Sequence, residues 1–63
     1  MKGKINGIVN HGSIVMVYVR TRKGISSIPF DHRPFFNMVE VEGDLMNRKI
    51  DYDETEKMIY FLN

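Results

Sequence analysis

The sequence predicts an all-β fold, in which one small domain of five short strands closes into a barrel. Three observations support this class. Alanine, the best helix former, is absent from the 63 residues, whereas valine, isoleucine and threonine together number 15. Apolar and polar residues alternate in several short runs, which glycine or acidic clusters separate. No stretch of about a dozen residues keeps an apolar face at helical spacing.

The first predicted strand spans residues 4–9. Regular alternation along this strand places Ile5, Gly7 and Val9 on one face. The Asn-His-Gly sequence at residues 10–12 then predicts a turn that leads into the next strand.

The second predicted strand, residues 13–21, has the most regular pattern in the chain. Val15, Val17 and Val19 fall on one face, which we expect to point into the core. The opposite face changes along the strand from apolar to charged. Its residues, in order, are Ile14, Met16, Tyr18 and Arg20.

The rest of the chain predicts shorter strands between loops. A turn at residues 22–24 leads into the third strand, residues 25–30. Residues 31–34 read Asp-His-Arg-Pro, and the proline biases the arginine before it away from helical geometry, so a loop is expected. Residues 35–41 are predicted to form a fourth strand or a short irregular turn. The last strands are predicted at residues 48–53 and 57–62, with an acidic turn between them.

Two compact arrangements accommodate strands of this length, an oligonucleotide-binding (OB) barrel and an SH3-like barrel. A closed or partly closed barrel is expected because it removes the free sheet edges at which a small open sheet aggregates. The chain has no cysteine, so its core must form without disulfides or a thiolate-bound metal. Strand periodicity does not distinguish the two barrels.

Glycines and apolar residues recur at a spacing that is typical of one known family. Residues 3–9 read G-K-I-N-G-I-V, and further matching segments lie at residues 12–15, 24–28, 43–44 and 54–62. This pattern resembles the S1 RNA-binding domain, an OB-fold family, and the resemblance implies an OB barrel that binds RNA. The chain departs from the family pattern at Ile14, where an exposed aromatic residue is usual. It also departs at residues 31–38, where the family has a helical turn.

Basic residues concentrate in the first part of the chain. Residues 1–37 contain six lysines and arginines and one acid, whereas residues 38–63 contain three basic residues and seven acids. Unequal halves predict a dipolar surface with one face that attracts polyanions. The alternative is that the two halves lie together in the fold and largely neutralise each other.

A nucleic-acid interface needs cations for phosphates and flat side chains for bases. Tyr18 and Arg20 share a strand face, so a base can stack on Tyr18 while Arg20 contacts a phosphate; the alternative is a tyrosine packed at the rim and a solvated arginine. Adjacent Phe35 and Phe36 face opposite ways on a strand, so at most one is expected to be buried. The predicted nucleic-acid-binding residues are Lys4, Tyr18, Arg20, Arg22, Lys23, His32, Arg33 and Phe35.

These features predict a protein that binds single-stranded nucleic acid, with RNA favoured over DNA, through its first three strands. No P-loop, nucleophile elbow or dinucleotide fingerprint is present, so we expect no enzyme and no cofactor. Two distant histidines without cysteine do not predict a metal site. The longest apolar run, residues 14–19, is too short to span a membrane and no secretory signal is visible, so a cytoplasmic protein is expected.

The alternative prediction is an SH3-like module that binds a protein or forms a homo-oligomer and has no role with nucleic acid. It is based on apolar side chains expected outside the core. These residues are Ile14, Met16, Tyr18 and Phe36.

Overall fold

The computed structural model describes residues 1–62, which form one five-stranded antiparallel sheet and one helix. The elements in chain order are β1 (Lys2–Asn10), β2 (Ile14–Thr21), β3 (Gly24–Asp31), α1 (His32–Glu42), β4 (Lys49–Asp53) and β5 (Met58–Phe61). The strand order in the sheet is β3-β2-β1-β4-β5. The prediction of an all-β fold with five strands is therefore confirmed, and the structure shows that neighbouring strands are antiparallel. Within the described residues, no helix is long and apolar enough to cross a membrane.

The sheet is open, which corrects the predicted closure into a barrel. Over residues 1–62, the edge strands β3 and β5 do not pair with each other. β5 is only four residues long, and Pro29 on β3 has no N–H to offer a further strand. Short edge strands and edge prolines both discourage additional pairing, so the edges are protected without closure.

A helix occupies the segment for which a loop and then a strand or turn were expected. The predictions for residues 31–41 are wrong, because most of this segment belongs to α1. Pro34 is the third helical residue, where the backbone N–H would have no acceptor within the helix, so proline is tolerated there. Phe35 is buried, and Met38 and Val39 pack partly buried against the core. Burial of this face stabilises a helix that lacks alanine.

Both ends of α1 have identifiable caps. Asp31 occupies the N-cap position with extended backbone (φ −67°, ψ 156°), and its side chain makes no capping hydrogen bond. Gly43 ends the helix at φ 77°, and its N–H donates to the Val39 carbonyl at 2.7 Å. Arg48, the residue before β4, connects this strand to the end of the helix. Its Nη1 donates to the Glu42 carbonyl oxygen at 3.1 Å, and its Nη2 donates to Glu42 Oε1 at 2.9 Å.

The core lies against one face of the sheet, here called the inner face; the opposite face is the outer face. Val15, Val17 and Val19 of β2 are 3%, 0% and 0% exposed, which confirms that they point inward. The other buried apolar residues come from the remaining elements and connections. They are Ile5, Ile28, Phe35, Leu45 and Ile50.

A β-bulge changes the faces predicted for β1. The register shifts between Ile5 and Gly7, so Asn6 is an extra residue without its own partner on β2. Ile5 is fully buried, but Gly7 pairs with Tyr18 on the outer face and Val9 is 43% exposed. The prediction that Ile5, Gly7 and Val9 share one face is wrong, because one extra residue reverses the alternation.

Candidate functional site

The outer face carries one row of side chains that runs from β3 to the residue after β5. The register pairs Arg20 with Ile25 on one side and with Lys4 on the other, and Lys4 with Lys49. The Leu62 N–H donates to the Lys49 carbonyl at 2.8 Å, which extends the row by one more residue. We call Arg20, Lys4 and Lys49 the cation row; Ile25 and Leu62 flank it.

Strand alternation fixes the direction of the three cationic side chains. Each is the immediate chain neighbour of a residue with no exposed area, so it must point to the opposite face. The pairs are Lys4 beside Ile5, Arg20 beside Val19 and Lys49 beside Ile50. All three cations are exposed on the outer face.

No acid neutralises the cation row among residues 1–62. The ion pairs there join the Met1 amine to Asp51 (3.3 Å) and Arg48 to Glu42 (2.9 Å), and neither includes a member of the row. Residues directly opposite on neighbouring strands lie about 4.5–5.5 Å apart at Cβ, and like charges in such pairs are destabilising. Lys4, on the central strand, therefore has a repelling neighbour on both sides.

The cation row lines a shallow groove on this part of the sheet. Lys2 and Arg22 line the same groove, and Leu62 lies at its β5 end. Five of the nine lysines and arginines are thereby gathered in one place, and no acidic residue of the described chain lines the groove. Four of the six basic residues of residues 1–37 thus meet Lys49, from the second part of the chain, on one basic surface.

Tyr18 lies on the outer face two residues before Arg20. It pairs with Gly7 on β1 and with Ser27 on β3. A Cβ placed on Gly7 would lie 3.8 Å from Cδ2 of Tyr18, so the ring packs over the glycine at van der Waals distance. Tyr18 remains partly exposed, which leaves part of an aromatic surface beside the cation row.

Four of the predicted binding residues, Lys4, Tyr18, Arg20 and Arg22, come together at one end of the outer face. Lys23, in the same turn as Arg22, lines a neighbouring depression that also contains Glu54. It stands beside the groove and does not line it.

Two groove residues, Lys2 and Lys49, are not among the binding residues predicted from the sequence. Lys2 lies two residues before Lys4 and therefore on the same strand face, and this spacing can be read from the sequence. Lys49 joins the row by pairing with Lys4, which lies 45 positions earlier in the chain. Such a register is not readable from local pattern.

The other three predicted binding residues lie on α1. His32 and Arg33 begin the helix, which follows the far end of β3; that strand is eight residues long, or about 26 Å. They are therefore remote from the β2–β3 turn and do not line the groove. Phe35 is 9% exposed and belongs to the core, so its predicted contact with nucleic acid is wrong. Phe36 is the exposed member of the pair, at 58%.

The far end of the outer face is apolar. Met16 pairs with Val9 on β1 and with Pro29 on β3, and Ile14 follows at the start of β2. Ile14, Met16 and Tyr18 therefore share one strand face, as predicted. Phe36 stands separately on α1 and contacts the rings of His32 and Phe35 edge-on, with centroids 5.9 and 6.0 Å away.

Comparisons with protein-family models, with curated proteins and with solved structures find no match for this chain. In the part of the chain that the structure describes, no group of three His, Asp or Glu side chains is placed to hold a metal ion. The groove is therefore the candidate site on the strength of its own geometry.

Proposed function

We propose that this protein binds single-stranded nucleic acid, with RNA as the preferred ligand, through the groove on its outer face. The observation that carries the proposal is the cation row, in which three neighbouring strands place a cation in the same register with no acid between them. A polyanion would relieve the repulsion within this row by supplying phosphates and releasing counterions.

The groove and Tyr18 together favour a single strand as the ligand. Lys4, Arg20 and Lys49 would contact phosphates, while the exposed part of the Tyr18 ring would stack on a base. Stacking on a side chain requires an unpaired, accessible base, which a duplex does not offer. The preference for RNA rests on the resemblance to the S1 domain.

We propose further that the fold is OB-like. Two features support this topology: β1 is shared between β2 and β4, and α1 lies between the third and fourth strands, where the S1 pattern has its helical turn. OB barrels are commonly only partly closed. Their usual binding face is on the second and third strands, and the groove shares only β2 with that face, because its other cations lie on β1, β4 and the β2–β3 turn. Ile14 remains a departure from the S1 pattern.

The proposal is tested by a charge reversal with a matched control. Arg20→Glu removes the β2 member of the cation row, whereas Arg33→Glu makes the same change at an exposed site on α1. Fluorescence anisotropy with a labelled mixed-sequence single-stranded RNA at low salt should show affinity falling about 10–100-fold for Arg20→Glu, from loss of a charge-assisted contact. Arg33→Glu should change affinity far less. Equal effects of the two variants, or no binding by the wild type, would contradict the proposal.

A second candidate function is protein binding through α1. Two of its apolar side chains are unusually exposed, Phe36 at 58% and Val41 at 80%. The two residues lie five positions apart and so on different sides of the helix, and Phe36 is the better candidate contact because aromatic residues are enriched at protein interfaces. Sedimentation at several concentrations tests the self-association version: a rising apparent mass that Phe36→Ser abolishes would support it, and a strict monomer would exclude it.

A further inference from the structure

A second exposed tyrosine lies beside the β5 end of the groove. Tyr60 is on the outer face of β5, is 48% exposed and pairs with Asp51 of β4. Leu62, two residues further along the chain, is the residue that ends the row and lines the groove. Two-residue spacing along an extended chain keeps Tyr60 and Leu62 on the same face.

A tyrosine therefore lies near each end of the cation row. Tyr18 lies two residues before Arg20 on β2, and Tyr60 lies two residues before Leu62 at β5. Because every neighbouring strand pair is antiparallel, β2 and β5 run in opposite directions. The two rings consequently lie on opposite sides of the row.

The length of the surface path between the two rings follows from strand geometry. It crosses three inter-strand spacings, about 14 Å in all, and one two-residue step of about 7 Å at each end. The total is about 28 Å along the surface. A small OB domain covers about 4–16 nucleotides, so this path suits a ligand at the short end of that range.

The acid nearest Tyr60 forms one ion pair, with the amine of Met1. Asp51, opposite Tyr60, accepts from the Met1 amine at 3.3 Å and pairs across β4 and β1 with Lys2. Lys2 lies on the far side of Asp51 from Tyr60, where its charge offsets the carboxylate although no ion pair joins the two within residues 1–62. The next acid on the outer face is Asp53, which pairs with Met58; its Oδ1 accepts from the backbone N–H groups of Thr55 and Glu56, and no ion pair of residues 1–62 includes it.

We propose that Tyr60 is a second base-stacking residue, so that a single strand runs from Tyr18 over the cation row to Tyr60. This inference rests on the proposed function and adds a second contact, a direction across the strands and a minimum ligand length. It predicts that affinity increases with oligonucleotide length until the strand reaches both rings.

The test combines a length series with variants of β5. Oligouridylates from about 2 to 12 nucleotides bracket the expected site size. Tyr60→Ala should weaken binding of the longer strands by about 5–150-fold, the range of one lost stacking contact, and leave the shortest strands unaffected. Tyr60→Phe should retain binding, because it keeps the ring. Val9→Ala is the control, since Val9 is similarly exposed (43%) on the outer face but lies at its far end and is not aromatic; Met58 is unsuitable because its Sδ accepts from the Tyr60 hydroxyl at 4.0 Å.

Intrinsic fluorescence gives an independent readout. The chain has three tyrosines and no tryptophan, so a Tyr18→Phe, Tyr52→Phe variant leaves Tyr60 as the sole fluorophore. Long oligouridylates should quench it, and the shortest should not.

The outcomes separate the two proposals. If Tyr18→Ala weakens binding but Tyr60→Ala does not at any length, the Tyr60 inference is wrong and the proposed function stands. If the wild type binds no oligonucleotide at low salt, both are wrong. Loss of affinity that requires both a long strand and an aromatic ring at position 60 supports the inference.

Discussion

The two ends of the outer face belong to the same strands but have opposite chemistry. At one end Met16 lies between Val9 and Pro29, and side-chain packing there favours the folded sheet. At the other end Lys4 lies between Arg20 and Lys49, an arrangement that strand pairing disfavours. Packing within the folded protein is enough to explain the apolar end, and no binding partner is required. The basic end departs from what the sheet itself favours, and such departures are expected where a protein binds something.

Reversing the charge of Lys4, the central member of the cation row, should have the largest effect on RNA binding and an opposite effect on stability. Lys4→Glu should weaken RNA affinity about 10–100-fold, because a phosphate contact is replaced by a repulsion. The measurement is fluorescence anisotropy at low salt. The net charge changes from +1 to −1, so its magnitude is unchanged. Arg33→Glu is again the control, and an equal loss there would attribute the effect to overall charge alone.

Gly3 allows β1 and β2 to lie close together at the basic end of the outer face, because it has no side chain. A Cβ on Gly3 would lie 2.5 Å from the Arg20 carbonyl oxygen and 2.6 Å from Cγ1 of Val19. Gly3→Ala should therefore destabilise the protein by about 1–3 kcal/mol in urea denaturation, because the strands must move apart. Gly7→Ala is the matched change in the same strand, and its Cβ has ordinary contacts at 3.8 and 3.9 Å to Tyr18. Similar stability of the two variants would show that this close approach is not required.

The same Lys4→Glu variant should be more stable than the wild type. Two like-charge pairs become two opposite-charge pairs, and exposed pairs of this kind contribute about 0.2–1 kcal/mol each. We expect a gain of about 0.5–1.5 kcal/mol in the free energy of unfolding, measured by urea denaturation at low salt. A variant that loses both affinity and stability would mean that Lys4 supports the fold and that the row is not strained.

Added salt should have opposite effects on the two proteins. Screening weakens exposed charge interactions over about 10 Å at 0.1 M salt. The wild type should therefore gain a few tenths of a kcal/mol in the free energy of unfolding as salt rises, and Lys4→Glu should lose a similar amount. Urea denaturation at two salt concentrations measures both. Parallel salt responses would indicate that repulsion within the row is negligible.

These contrasts also show where the sequence was informative. In β2 the alternation runs without interruption, so Val15, Val17 and Val19 could be assigned to the core. In β1 the same reasoning failed after Asn6, because a bulge leaves no reliable mark in a single sequence. The orientation of Lys4 was unaffected, since it precedes the bulge.

The helix was missed for a different reason. Its sequence has poor intrinsic helix propensity, and burial of Phe35 against the sheet outweighs that preference. Two local signals, Asp31 before the helix and Gly43 after it, mark its ends and could have indicated it. Lys49 offered no comparable local signal, because only the pairing of β1 with β4 brings it beside Lys4.

The most direct test of the basic groove is the salt dependence of single-stranded RNA affinity for the wild-type protein. For a single strand, log K falls with log salt by about 0.7 per phosphate contact. The three cations of the row alone predict a slope of about −2, and all five groove cations predict about −3.5. A slope in this range that becomes shallower by about 0.7 in Lys4→Gln is the expected result. Affinity that does not change with salt, or no binding at the lowest salt, would contradict a phosphate-binding role for the groove.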